Sequence, residues 1–579
     1  MQDSAGFAAK PKRLPRLYLW ALLLVFTVVW FSNLEYRKLV RPDEGRYAEI
    51  GREMALSGDW ITPRLNDLKY FEKPPLQYWA TAAAFRLFGE HHWTARWWPA
   101  TTAFACVLLM FWTVRRLYGD EEVALAAAAA LGGCSGFVIN CHINTLDAGL
   151  AAFLTVALLG FLVAQRPEAT PAENRNGMLA VWAALALAVL SKGLVGLVLP
   201  GGVLGLYVLI ERDWSVLNRL HIGKGLALFL LIAAPWFIAV SLANDEFARF
   251  FFIHEHFDRF LTNAHKREGG WWYFIPFLLF GMMPWLPFIA IRLRQGWQED
   301  AEPTPAAPVA GASQARMRVL RPMRLVLIWA TFIFLFFSAS SSKLPSYILP
   351  IFPALALFAA VQMQRLSPDT LSRIAVVLAA AGGALLVVVL VGGNYLAHAF
   401  AKQTSPLEIV RNFVPWVQAS VFSFTVGAAA AVWLFRHHAR SSGVVALAFG
   451  SLIAGIVAMN GHDQLSPLSS SYHIVRAIAT TPEPFDANHP FYSVQMYDQT
   501  LPFYLKRPVT LVQYIDEFAL GLTAEPAKGI ARVEDWKARW TDLAKGYAIM
   551  TPANYQRFAA EGLPMRELAR DPRRVIVSR

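Results

Sequence analysis

The sequence predicts a polytopic α-helical membrane protein of about thirteen transmembrane helices, followed by a soluble α/β domain. Three observations predict it. The 579 residues are 56% hydrophobic and only 16% charged, more apolar surface than a water-soluble fold of this length can hide. The apolar residues fall in near-continuous runs close to the ~20 residues that a bilayer-crossing helix needs. After about Gly461 these runs stop and the composition turns soluble.

The net charge of +12 would raise nucleic-acid binding in a soluble protein. Here the excess lies in short loops and marks their cytoplasmic side, so no nucleic-acid partner is expected. Cys106, Cys134 and Cys141 are too few, and odd in number, for a disulfide framework, and no CxxC motif suggests metal or redox work. The N-terminus is basic (Lys10, Lys12, Arg13, Arg16). Leu17–Leu34 follows, too long for a signal-peptide core and without a small-residue cleavage site. It reads as a retained first span with its N-terminus inside.

Further spans are expected at roughly Trp97–Leu117, Val123–Asn140, Ala148–Gln165, Met178–Leu190, Gly193–Ile210, Gly225–Ala243, Trp271–Ile291, Leu325–Phe337, Tyr347–Val361, Ile374–Val391, Trp416–Phe435 and Gly443–Met459. Pro75–Gly89 is apolar but short, and Arg86 interrupts it. If it spanned, every later loop would change sides. Left out, the inside loops are the basic ones: Arg115/Arg116, Arg166/Arg175, Arg212/Arg219/Lys224, Arg292 to Arg324, Arg365/Arg373 and Arg436/Arg440. Pro75–Gly89 is therefore read as a juxtamembrane helix. The membrane domain then covers residues 1–460, with a long first outside loop at 35–96. Residues 461–579 form an outside domain, periplasmic in a bacterium with two membranes.

Within the first loop, Pro42-Asp43 marks a helix start and Ser57-Gly58 its end. Tyr47, Ile50 and Met54 share a face, as in a short amphipathic helix at the interface. The linker Gln298–Gln314 is rich in Ala and Pro. In the last domain, Ser471 is placed to cap a helix at Tyr472–Ala479. Phe491–Gln495, Val509–Tyr514, Tyr547–Thr551 and Arg574–Ser578 read as strands, with helices at Gln499–Leu505 and Asn554–Glu561. No Walker A or nucleotide-binding glycine motif is present.

The residues that carry chemistry gather in the outside loops. Asp43 is either an N-cap or an acid at the mouth of a cavity enclosed by the spans. Glu44 reads as a solvated neighbour. Glu72-Lys73-Pro74-Pro75 presents an ammonium on a stiffened chain; a snorkelling anchor is the plain alternative. Arg46, Lys192 and Arg259 fall on the same side, and converging cations suit a phosphate. Asp147 opens a span, as dipole stabiliser or functional acid. Lys343 and Tyr347 in SSKLPSYILP border the same side. His254 with Glu72 offers donors for a divalent metal, against an ordinary interfacial hydrogen bond. Trp97, Trp98, Trp271 and Trp272 read as an interfacial belt.

The run RPDEGRYAEIGREMALSGDWITPRLNDLKYFEKPPLQYW (Arg41–Trp79), supported by SSKLPSYILP, resembles the bacterial lipid A aminoarabinose transferases. These are GT-C glycosyltransferases related to the protein O-mannosyltransferases. The resemblance runs through most of the chain, and the last domain has no comparable signature. It implies transfer of 4-amino-4-deoxy-L-arabinose from undecaprenyl phosphate to lipid A phosphates at the periplasmic face of the inner membrane, which weakens binding of polymyxin and other cationic peptides. It places Asp43 at the reaction centre, lined by Arg46, Tyr47, Tyr70, Glu72 and Lys73. Asp147, Lys192, His254, Arg259, Lys343 and Tyr347 are carried over beside them. A related enzyme moving another polyprenyl-linked sugar to protein or glycan remains open. A lipid-sugar transporter is disfavoured, because few charges lie inside the spans.

Overall fold

The computed structural model describes residues 12–258, 269–299, 320–402, 405–481 and 485–579. The chain is a multi-pass helical membrane protein with an α/β domain seated on one end. Among the described residues, eight helices are long and apolar enough to cross a bilayer, or ten if each bent pair is one span. The bent pairs are Glu121–Gly132 with Ser135–Cys141, and Phe274–Gly281 with Leu286–Gln298. Two shorter apolar helices, Arg16–Phe31 and Val195–Glu211, join them. Every segment that the sequence assigns to a span falls on a helix or a bent pair.

The helices that position the site are α1 (Arg16–Phe31), α2 (Asp43–Ser57), α3 (Leu76–Phe88), α4 (His92–Tyr118), α5 (Glu121–Gly132), α6 (Ser135–Cys141), α7 (Leu146–Ala164) and α8 (Pro171–Lys192). Both ends of the 35–96 loop lie at the same end of the bundle. Arg96, near the start of α4, donates to the carbonyls of Leu34, Arg37 and Lys38 just beyond α1. At the opposite end Glu121 ties Arg16 of α1 to Arg115 of α4. The intervening α3 has 13 residues, about 20 Å of helix, short of the ~30 Å hydrocarbon core. It returns the chain to α4 without crossing.

One buried ion pair closes this loop. Glu44 and Arg96 are both 0% exposed in their side chains. Arg96 Nε and Nη2 donate to the two Glu44 oxygens at 2.7 and 2.8 Å. Glu44 also accepts from the Val40 and Asn144 backbone N–H groups. The expectation of a solvated Glu44 is therefore corrected: the carboxylate is the internal bolt of the loop. Burial alone would raise its pKa. The Arg96 charge and hydrogen bonds, Arg37 and the Asn144 N–H outweigh burial and hold it down to about 2.

Helix α2 also departs from the interfacial helix expected. Glu44, Arg46, Glu49 and Arg52 are buried with Tyr47, Ile50 and Met54. The α/β domain covers the face that would otherwise meet water. A Cβ on Gly45 would lie 2.6 Å from the Gln499 carbonyl oxygen and 2.6 Å from Thr500 Cγ2, so only glycine lets the two halves approach this closely. The helix ends at Gly58, in the left-handed region at φ +73°.

The first loop carries a small hairpin of β1 (Arg64–Leu65) and β2 (Leu68–Lys69). The α/β domain is built on β3 (Phe491–Val494), β4 (Thr510–Val512), β5 (Gly529–Ile530), β6 (Tyr547–Met550), β7 (Arg566–Arg570) and β8 (Val575–Ser578). Their order is β5-β4-β3-β6-β8-β7; β5, β4, β3 and β6 are parallel, while β8 pairs antiparallel with β6 and β7. The period-2 pattern sends Tyr492, Val494, Val512, Ala548 and Val577 to a face covered by Trp536, Trp540 and Phe558. Phe491, Leu511, Tyr547, Ile549 and Ile576 point the other way, into one cluster with Tyr47, Ile50, Met54, Tyr70 and Tyr78 of the first loop. The loop is thus the second cover of the sheet. The four expected strands are present. Edge strands β5 and β7 were not expected: one has two residues, and the other reads RELAR with mostly exposed side chains. Helix Tyr472–Ala479 forms without the cap assigned to Ser471; that hydroxyl accepts from Arg574 instead.

Truncating Glu44 to alanine leaves Arg96 charged and buried, which is expected to destabilise the protein by about 3–5 kcal/mol, read as a lower unfolding midpoint in detergent. The carboxyl titrates at about 2 against an ordinary 4.5. Its contribution is therefore complete above about pH 4.5 and lost as pH falls toward about 2. The midpoint gap between wild type and Glu44→Ala is expected to narrow across that acid window and to stay constant at neutral pH.

Candidate active site

Asp43 is the first residue of α2, not its N-cap; Pro42 holds the cap position. Its carboxylate is 32% exposed and lies 3.1 Å from Arg46 Nη1, one helical turn on. Arg46 is 10% exposed, and its Nε lies 2.6 Å from Glu517 of the α/β domain, itself 6% exposed. Asp43 is thus the open end of a charge line that runs inward. Arg46 also stands over the Tyr47 ring, 6.0 Å from its centroid.

Tyrosines floor this group. Tyr47, Tyr70 and Tyr78 are buried together, with the Tyr47 and Tyr78 centroids 6.0 Å apart. Burial holds the Tyr47 and Tyr70 hydroxyls well above their ordinary pKa, with Asp43 or Glu72 adding and Arg46 opposing. They are neutral donors. The Tyr70 hydroxyl is buried and has no hydrogen-bond partner among the described residues. Glu72 acts electrostatically on Arg46, Tyr47 and Tyr70, which sets it beside the same group. Lys73 Nζ donates to the Glu72 carbonyl at 2.7 Å. Burial pushes the Glu517 carboxyl up, and Arg46 opposes the rise.

A second charged group stands on the membrane helices. Asp147, in the first turn of α7, takes Lys192 from the last turn of α8 and accepts from Ser346 Oγ at 2.9 Å. Lys192 Nζ sits 4.6 Å from the centroid of Tyr347. Acid at a helix start and base at a helix end both suit the helix dipoles. Lys343 is buried and donates to the Ser340 carbonyl. The two groups are neighbours. Leu146 packs in the same cluster as Tyr47, Tyr70 and Tyr78, Phe71 packs with Leu190 near the end of α8, and Gln77 of α3 donates to Asn144 ahead of α7.

The structure therefore brings together Asp43, Arg46, Tyr47, Tyr70 and Glu72, and separately Asp147, Lys192 and Tyr347 beside Lys343. Arg259 and the His254 side chain lie outside the described residues. The Glu72–His254 pair expected to offer metal donors is therefore not placed; among the described residues no group of three or more His, Cys, Asp or Glu could hold a metal ion. Sequence reading missed Glu517, Gln499 and Ser346. Ser346 lay inside a quoted motif. Glu517 and Gln499 lie in a domain without a signature, and only their place in the fold identifies them.

Comparison with known proteins places the chain in a family. A family model described as dolichyl-phosphate-mannose-protein mannosyltransferase matches residues 16–251, and one described as aminoarabinose transferase C-terminal domain matches residues 474–579. An undecaprenyl phosphate-α-4-amino-4-deoxy-L-arabinose arabinosyl transferase of Aeromonas hydrophila is 34% identical over 59% of each chain. That of Enterobacter sp. is 32% identical over 61% of each. The chain thus spans about three fifths of the length of these curated relatives. The crystal structure of ArnT from Cupriavidus metallidurans bound to undecaprenyl phosphate superposes with a TM-score of 0.88 at 36% identity, covering 98% of both chains. Its apo state gives 0.87 over 97% of both. With likeness at this level along nearly the whole length, and with both family models matched in order, the chain belongs to the aminoarabinose transferases of the GT-C glycosyltransferase class.

Proposed function

We propose that this protein transfers 4-amino-4-deoxy-L-arabinose from undecaprenyl phosphate to the phosphates of lipid A, at the periplasmic face of a bacterial inner membrane. The observation that carries the reading is the near-complete structural likeness to ArnT bound to undecaprenyl phosphate. The geometry is compatible with it: a carboxylate about one third exposed, an almost buried guanidinium behind it, and a second lysine-acid group alongside. The periplasmic assignment is supported by the basic inside loops. An amine placed on each phosphate offsets negative surface charge and weakens attraction of polymyxin and other cationic peptides.

In this reaction a lipid A phosphate oxygen attacks the anomeric carbon of the sugar. The bond from that carbon to the donor phosphate breaks, and undecaprenyl phosphate leaves with the electron pair. Displacement is in line with inversion, so no covalent enzyme intermediate is needed. Charge builds on the departing phosphate, where Arg46 and Lys73 stabilise it. Lys192, held by Asp147 and Tyr347, supplies a further cation for the second phosphate. An ionised phosphate acceptor needs no general base. Asp43 instead stabilises positive charge on the sugar and its amine, and Tyr47 and Tyr70 donate as neutral hydroxyls.

Reconstitution with lipid A and the undecaprenyl-linked sugar, followed by mass spectrometry, is expected to show lipid A gaining one or more aminopentoses. Unmodified lipid A, or a sugar found on protein instead, overturns the reading; an arm with chelator tests any metal requirement. Asp43→Asn is expected to lower the transfer rate about 10²–10³-fold in folded protein. For Tyr70→Phe, the loss of an unpartnered hydroxyl is expected to leave the unfolding midpoint unchanged or raised. The transfer rate should fall by up to about tenfold, the worth of one neutral hydrogen bond to substrate.

A further inference from the structure

The α/β domain reaches the site with one buried carboxylate, and its placement does more than join two halves. Glu517 lies in the turn Asp516–Phe518 that follows β4. Two anchors press this turn into the first loop. Phe518 is buried in the tyrosine cluster and meets the Tyr497 ring edge-on, centroids 4.7 Å apart. Gly521, in the next helix, packs so tightly on β2 that a Cβ would stand 2.9 Å from both Leu68 Cβ and the Lys69 carbonyl oxygen.

Between these anchors Glu517 Oε2 lies 2.6 Å from Arg46 Nε. Its other oxygen accepts from Gln499 Nε2 at 2.7 Å. The Gln499 carbonyl is the group that occupies the space above Gly45. A circuit therefore leaves α2 at Gly45, passes through Gln499 and Glu517, and returns to α2 at Arg46. A guanidinium is a rigid planar fork. Held at Nε by the ion-pair contact to Glu517 and at Nη1 by the hydrogen bond to Asp43, the guanidinium is kept between two carboxylates. An arginine already held does not have to be ordered when a phosphate arrives, and preorganised charge is the kind that lowers a barrier.

We propose that Glu517 is a positioning residue: from the soluble domain it clamps Arg46 in the orientation that receives the polyprenyl phosphate, which makes that domain a component of the phosphate site. The identity of the donor rests on the function proposed above; the clamp itself rests on the Arg46–Glu517–Gln499 geometry.

The test uses the full chain in detergent or nanodiscs and the conservative variant Glu517→Gln. Undecaprenyl phosphate alone is the binding probe, and transfer is followed at varied donor concentration. Affinity for undecaprenyl phosphate and kcat/KM for the donor are each expected to fall about ten- to hundredfold, the scale of losing one close, buried ion-pair contact. The unfolding midpoint should change little. In an Arg46→Lys background, where no planar fork remains to be oriented, Glu517→Gln is expected to add less than about threefold. Wild-type affinity and kcat/KM in Glu517→Gln overturn the proposal, as does an equal loss in both backgrounds. If Glu517→Gln itself lowers the midpoint strongly, Gln499→Ala replaces it. That variant loosens the carboxylate without removing its charge; a loss in the same direction supports the clamp, and wild-type values refute it. Wild type that binds undecaprenyl phosphate but transfers no aminopentose removes the proposed reaction, while the binding series still decides Glu517. Wild type that does not bind it overturns both.

Discussion

The Glu44–Arg96 pair is the interaction on which the rest of the site depends. A buried ion pair is seldom a net source of stability, because both charges leave water. This one is fully satisfied: Arg96 serves three backbone carbonyls as well as Glu44, and Glu44 takes two backbone N–H groups as well as Arg96. The carbonyls of Leu34, Arg37 and Lys38 lie where α1 has ended and no helix partner remains. Arg96 supplies those donors and, with the same side chain, fixes α2 against the start of α4. The neighbour of Glu44 on either side, Asp43 or Gly45, is thereby aimed: the acid at the opening, the glycine at the α/β domain.

That placement accounts for DEGR residue by residue. Asp43 faces outward to the opening, Glu44 inward to the membrane helices, Gly45 upward to Gln499, and Arg46 across to Glu517. Four consecutive positions on a helix point in four directions about 100° apart, and here each direction meets a different part of the protein. The two ionised neighbours of Arg46 come from opposite ends of the sequence, so the guanidinium is where the membrane domain and the soluble domain share one charge balance.

Much of this could be read from the residues, and the remainder has definable reasons. Apolar runs and basic loops located the membrane helices and kept Leu76–Phe88 from being taken for one. The limits of α2 followed from Pro42-Asp43 and Ser57-Gly58. Glu44 is not legible from the sequence, because an acid beside another acid at a helix start looks solvated until its partner 52 positions away is known. The amphipathic face of α2 was read as meeting the bilayer surface, since a sequence shows that a face needs covering and not what covers it. Glu517 had no local signal at all. Its significance comes from β4 and the turn that follows, which bring it to Arg46. Edge strands β5 and β7 escaped for the opposite reason: too short, or too polar, to carry the alternation that marks a strand.

The close approach at Gly45 has a consequence for the order of biosynthesis. Gln499 and Glu517 follow every transmembrane helix in the chain, so a ribosome finishes the membrane domain before the residues that close the site exist. Until the late-made sheet settles onto α2, the inner face of that helix lacks its cover and Arg46 lacks one of its two carboxylates. A nascent or proteolytically shortened copy would therefore sit in the membrane with Arg46 lacking the Glu517 contact that the α/β domain supplies.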